Sequence, residues 1–86
     1  MIKIWIKTIE DNKVKRSKTM KILETYSREN LEYAIRNCLA AMDIPAPVFL
    51  DCHFGNFEKF KTAKFLPRDF VETVDFDRLE VTDIDQ

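Results

Sequence analysis

The chain of 86 residues is 45% hydrophobic and 34% charged, with a formal net charge of −1. This length and composition are typical of one soluble domain, which we assign to residues 1–86. The single glycine excludes a glycine-rich phosphate-binding loop, and the single histidine excludes a multi-histidine metal site within one chain.

The N-terminal segment predicts a β-hairpin. Residues 2–9 alternate, with Ile2, Ile4 and Ile6 on one face and Trp5 and Ile9 on the other, which is typical of a half-buried strand. Asp11 and Asn12 tolerate the dihedral angles of a tight turn. A second strand over residues 14–23 completes the hairpin, although its apolar residues share a face with basic ones.

The clearest helical pattern covers about residues 27–42. Apolar residues recur there at helical spacing, which indicates one buried face. Ser27 is the predicted N-cap, and Glu29 stands in the first turn, where the helix dipole favours an acid. Pro45 disfavours helical geometry in the residue before it, so the helix is expected to end nearby.

The second half of the chain predicts a short helix and two strands. The helix covers about residues 52–60, with Asp51 as its cap. A strand over residues 61–66 is stopped by Pro67, and a last strand covers residues 76–84.

We therefore predict a compact α+β domain with the order β-β-α-α-β-β. Its small, mainly antiparallel sheet is expected to pack both helices on one face. The residues expected in the core are Ile4, Ile6, Leu31, Ile35, Leu39, Phe57 and Phe65.

Asp51, Cys52 and His53 are adjacent and carry the atoms of a metal site or of a cysteine nucleophile with its base. Their spacing argues against both, because neighbouring residues on a helix point about 100° apart and too few ligands are present. A structural interpretation is favoured, with Asp51 as a cap, Cys52 and Cys38 buried, and His53 at the surface or its boundary. No catalytic residue, metal or cofactor is predicted, and a small metal- or cysteine-dependent enzyme is the third hypothesis.

The N-terminal hairpin is basic, which suggests a nucleic-acid-binding surface. A basic sheet face with one aromatic side chain can follow a phosphate backbone and stack a base. The pI of about 5.8 argues against this function, and lysines also protect edge strands from aggregation without any ligand. The candidate contacts are Lys3, Lys7, Lys15, Arg16, Lys18 and Lys21.

All seven phenylalanines lie within residues 49–76, and most of them are expected in the core. Any that are exposed would suit a protein–protein surface, where aromatic residues are enriched. The candidate interface residues are Trp5, Phe54 and Phe60. The favoured function is a non-catalytic interaction or accessory module with a protein partner or a second copy, the homodimer forming through an edge strand or the Trp5 face. Nucleic-acid binding is the alternative.

No apolar run is long enough for a signal peptide or a membrane helix, and two cysteines are few for a small secreted domain. We therefore expect a cytoplasmic protein without a membrane partner.

Three segments of the second half resemble a set of small uncharacterised bacterial proteins. The resemblance implies a bacterial, cytoplasmic origin and no known activity, so no site residue is taken from it. The segments are Asp43-Ile44-Pro45-Ala46-Pro47-Val48, Phe57-Glu58-Lys59-Phe60 and Leu66-Pro67-Arg68-Asp69-Phe70-Val71-Glu72.

Overall fold

The computed structural model describes residues 2–84 and confirms the predicted element order and the α+β class. A single 3₁₀ turn at Pro67–Asp69 separates the last two strands. The elements are β1 (Ile2–Glu10), β2 (Lys13–Ile22), α1 (Arg28–Ala41), α2 (Asp51–Phe60), β3 (Thr62–Phe65) and β4 (Arg78–Asp83).

The four strands form one antiparallel sheet in the order β2-β1-β4-β3. Asp11 and Asn12 join β1 to β2 with φ values of 53° and 63°, and two positive φ values are what a type I′ hairpin turn requires. The register of this hairpin shifts between Thr8 and Ile9, where Lys15 is the additional residue on β2. The strand β1 therefore lies between the hairpin partner β2 and the C-terminal strand β4.

Helix α1 begins at the predicted N-cap. The hydroxyl group of Ser27 accepts a hydrogen bond from the Asn30 N–H at 3.0 Å. The buried face of α1 packs against the sheet together with one face of α2. All seven residues expected in the core are buried, and on β4 the core face carries Leu79 and Val81. Both helices thus contribute to a single hydrophobic cluster on one face of the sheet.

The start of α2 differs from the prediction, because Leu50 is the N-cap. Its N–H donates to Nδ1 of His53 at 3.0 Å, so Nε2 carries the proton of a neutral ring. That Nε2 lies 3.4 Å from the Oδ2 atom of Asp69, which also accepts from the Leu66 N–H at 2.9 Å. The imidazole packs on Phe65 with the ring centroids 4.2 Å apart. His53 therefore ties α2 to the segment after β3.

Three expectations around this helix were wrong. Asp51 is the first helical residue and does not cap the helix, Cys52 is exposed, and His53 is buried with 5% of its surface accessible. The reason is the rotation of α2 about its axis. The side that faces the core carries His53, Phe54 and Phe57, and Cys52 lies outside that side.

A polar cluster joins the segment before α1 to α2. The Tyr26 hydroxyl donates to Glu58 at 2.6 Å, and Arg28 donates to both carboxylate oxygens of Glu58, at 3.0 and 3.1 Å. The hydrogen bonds from Arg28 and Tyr26 hold the pKa of Glu58 below its usual value. Burial and the hydrogen bond to Glu58 raise the pKa of Tyr26. Through Arg28 and Glu58, these contacts join the start of α1 to α2.

Within residues 2–84, neither helix is long and apolar enough to cross a bilayer.

Candidate functional site

The face of the sheet that points away from the hydrophobic cluster consists of alternate residues on all four strands, and we call it the outer face. The residues of the outer face are exposed or half-buried, except Ile9, which lies opposite Arg78 and has 5% of its surface exposed. In strand order from β2 to β3, the outer face contains Val14, Ser17, Thr19 and Lys21, then Lys3, Trp5, Lys7 and Ile9, then Arg78, Glu80 and Thr82, then Thr62 and Lys64.

The outer face is strongly basic, although the whole chain is slightly acidic. Its five cations and one carboxylate give a net charge of +4, whereas the complete sequence has a net charge of −1. The remainder of the sequence therefore carries a net charge of −5. The fold has separated the charges, so that a basic sheet face is combined with an acidic remainder.

Glu80 lies among three of these cations. Its carboxylate accepts from Arg78 Nε at 2.5 Å and lies 3.6 Å from Lys7 Nζ. Partial burial alone would raise the pKa of Glu80, but Arg78, Lys7 and Lys64 together hold it below its usual value of 4.5. Glu80 is therefore ionised at neutral pH and pairs with basic side chains of both β1 and β4.

This arrangement predicts a pH-dependent contribution of Glu80 to stability. A lowered pKa in the folded state stabilises the fold above the unfolded pKa of about 4.5, and that contribution declines as the pH falls below it. At pH 7 we expect Glu80→Gln to lower the free energy of unfolding by up to about 1 kcal/mol. Urea unfolding of both proteins from pH 7 to pH 3 should show this difference shrinking. A difference that grows on acidification would contradict the ion-pair geometry.

Trp5 lies at the centre of the outer face, between Thr19 of β2 and Thr82 of β4. The Nζ atom of Lys7 is 4.0 Å from the centroid of the indole ring, which is a cation–π distance. The ring is partly exposed, as the strand alternation predicts. An aromatic ring beside cationic side chains on an open sheet is an arrangement that can stack a nucleobase and contact its phosphates.

The structure divides the six basic residues predicted to contact nucleic acid. Three of them, Lys3, Lys7 and Lys21, share the outer face with Trp5. Arg16 and Lys18 lie on the opposite side of β2, where Arg16 donates to the Met42 carbonyl oxygen at 3.2 Å. Lys15 is at the bulge. The predicted group of six is therefore not one surface.

Two cations of the outer face were not among the predicted contacts. Lys64 is on β3 and Arg78 is on β4, far along the chain from the hairpin. In both strands polar residues alternate with apolar, buried ones, and this pattern could have assigned Lys64 and Arg78 to the polar face of a strand. The pairing of β4 with β1 brings them beside the N-terminal lysines, and local sequence carries no signal for that pairing.

The predicted interface residues also have different positions. Phe60, the last residue of α2, has 62% of its surface exposed, and Trp5 is on the outer face. Phe54 is only 8% exposed, and its ring stacks on Phe49 with a centroid separation of 5.9 Å. Phe54 is therefore a core side chain of the fold, because its side of α2 faces the sheet, whereas Trp5 and Phe60 are accessible.

The two cysteines and the histidine lie in three different environments. Cys38 is buried in the hydrophobic cluster, where burial raises the pKa of its thiol, while Cys52 is exposed. Both ring nitrogens of His53 face groups within the fold, at Leu50 and Asp69. Among residues 2–84, no three His, Cys, Asp or Glu side chains are grouped so that they could hold a metal ion.

Comparison of the chain with models of protein families, with curated proteins and with solved structures finds no match.

Proposed function

We propose that this chain is a non-catalytic binding module and that its outer face binds single-stranded nucleic acid. The observation that carries the proposal is the concentration of five cations around Trp5 on a sheet face in a chain whose net charge is −1. Non-specific affinity for nucleic acid comes mainly from cations that displace the counterions of the phosphates, so the local charge of the face matters more than the pI.

The arrangement of charges supports a flexible polyanion as the ligand. Lys21 on β2 lies opposite Lys3 on β1. At the other edge of the sheet, Lys64 on β3 lies opposite Glu80 on β4. The cations therefore extend across the full width of the sheet, with Trp5 between them. Sheets that bind single-stranded RNA stack two or three bases on aromatic side chains of an open face.

The same charges oppose self-association through this face. Two outer faces placed together would bring a net charge of +4 against another of +4. Pairing of two β2 edges would likewise bring basic strands together, and like charges opposite each other destabilise a strand pair. A protein partner of the outer face would need an acidic surface.

Binding can be measured through the single tryptophan. We expect a single-stranded oligonucleotide of about 15 bases to quench Trp5 fluorescence at 50 mM salt. The logarithm of the binding constant should fall linearly with the logarithm of the salt concentration. Glu80→Gln should tighten binding about fivefold at 0.1 M salt, since it removes the one carboxylate of the face.

Glu32→Gln is the matched control. It removes one acidic charge from α1, where Glu32 pairs with Arg36 at 2.8 Å, and should leave the affinity unchanged. Absence of binding at 50 mM salt, or binding that does not depend on salt, would refute the proposal. Binding of an acidic polypeptide in preference to the oligonucleotide would assign the face to a protein partner.

A further inference from the structure

The exposed ring of Phe60 borders a cleft at the β3 edge of the outer face. The cleft has a volume of about 330 Å³ and is lined by Asn56, Phe60, Thr62 and Lys64. This volume is at the lower end of the range for small-molecule sites. Its lining therefore combines one aromatic ring with an amide, a hydroxyl and an ammonium group.

The local backbone explains why these side chains meet. Asn56 and Phe60 are four residues apart in α2, so they lie on one side of the helix, one turn from each other. Lys61 ends the helix in the left-handed conformation, with φ of 66°, and turns the chain directly into β3. Thr62 and Lys64 then project from the outer side of that strand.

The chemistry of the cleft matches a nucleobase with its phosphate. An exposed ring can stack a base of any sequence, because every base has a π face. The Asn56 amide can both donate to and accept from the polar edge of a base. Lys64 can contact the adjoining phosphate, and the four lining residues include no carboxylate that would repel it.

We infer that this cleft binds one nucleobase of the single strand that follows the outer face. The inference rests on the proposed function and adds a second stacking position to Trp5. The cleft is continuous with the outer face, because Thr62 and Lys64 belong to both. The Thr62 hydroxyl lies 3.2 Å from that of Thr82, the residue opposite Trp5, which places the two stacking positions on neighbouring parts of one surface.

The test compares two oligonucleotides of equal length, one with bases and one abasic. Phe60→Ala should weaken binding of the base-containing strand about tenfold, which corresponds to about 1.4 kcal/mol, and leave the abasic strand unaffected. Phe60→Trp keeps an aromatic ring at this position and should bind the base-containing strand as tightly as the wild-type protein does. Tyr33→Ala is the matched control, because Tyr33 is an aromatic residue of α1 with 71% of its surface exposed. This control should change neither affinity.

The outcomes separate the two proposals. If both strands bind and Phe60→Ala changes neither affinity, or changes both equally, the base site is refuted and the binding face is retained. If neither strand binds to the wild-type protein, both proposals are refuted. A free nucleoside monophosphate should bind more weakly than the oligonucleotide, and tighter binding of the mononucleotide would refute a site that serves a continuous strand.

Discussion

Replacing Lys3, Lys21 and Lys64 together by glutamine is expected to weaken oligonucleotide binding about 100-fold at 0.1 M salt. Each phosphate contact to a single strand contributes about 0.7 to the slope of log affinity against log salt, so three lost contacts reduce that slope by about 2. The three residues lie on three different strands of the outer face. The loss should therefore be largest at low salt and nearly absent at 1 M salt.

A matched triple variant tests whether position or total charge matters. Three other lysines lie in the same hairpin but away from the outer face. Lys13 is next to the turn, Lys15 is at the bulge, and Lys18 is on the side of β2 opposite the outer face. Replacing these three by glutamine removes the same charge and should weaken binding far less. Tryptophan quenching at four salt concentrations measures both slopes. Equal losses in the two triple variants would show that binding depends on the basic hairpin as a whole and would refute the outer face as the site.

His53→Ala is expected to lower the free energy of unfolding by about 3 kcal/mol. The substitution removes the acceptor for the Leu50 N–H at the start of α2 and separates α2 from Asp69. It also leaves a cavity against Phe65, on which the imidazole ring packs. Large-to-small substitutions of buried side chains and the loss of a buried hydrogen-bond partner each cost from about 1 to several kcal/mol.

Thermal unfolding provides the measurement, with two variants for comparison. A loss of this size should lower Tm by more than about 10 °C in a domain of fewer than 100 residues. His53→Asn keeps an acceptor for the Leu50 N–H and should recover part of the loss. Cys52→Ala changes the exposed neighbour and should leave Tm nearly unchanged. A loss below 1 kcal/mol in His53→Ala would show that the imidazole does not hold α2 in place.

The helices and strands could be predicted because their signals are local. On β1, Ile4 and Ile6 alternate with Trp5, and the apolar residues of α1 follow the helical period behind Ser27. At α2 the signal was weaker. The side of the helix that faces the core carries His53 together with Phe54 and Phe57, and Cys52 lies outside that side.

Length, composition and local periodicity by themselves determined the α+β class, the element order and seven residues of the core. The low counts of glycine and histidine excluded whole classes of site, and the position of Trp5 on the face opposite Ile4 and Ile6 followed from alternation alone. The basic outer face, in contrast, depends on the tertiary structure. Lys64 and Arg78 join the N-terminal lysines only because β4 pairs with β1 and β3 pairs with β4.

The block of seven phenylalanines shows the same division. Composition predicted that most of these rings form the core, and five of them are buried: Phe54, Phe57, Phe65, Phe70 and Phe76. Helix α2 ends at Lys61, whose backbone is in the left-handed conformation, and Phe60 therefore remains at the surface beside the outer face. Strand pairing and helix termination join residues that are distant in the sequence, and such non-local contacts leave no periodic pattern in the chain.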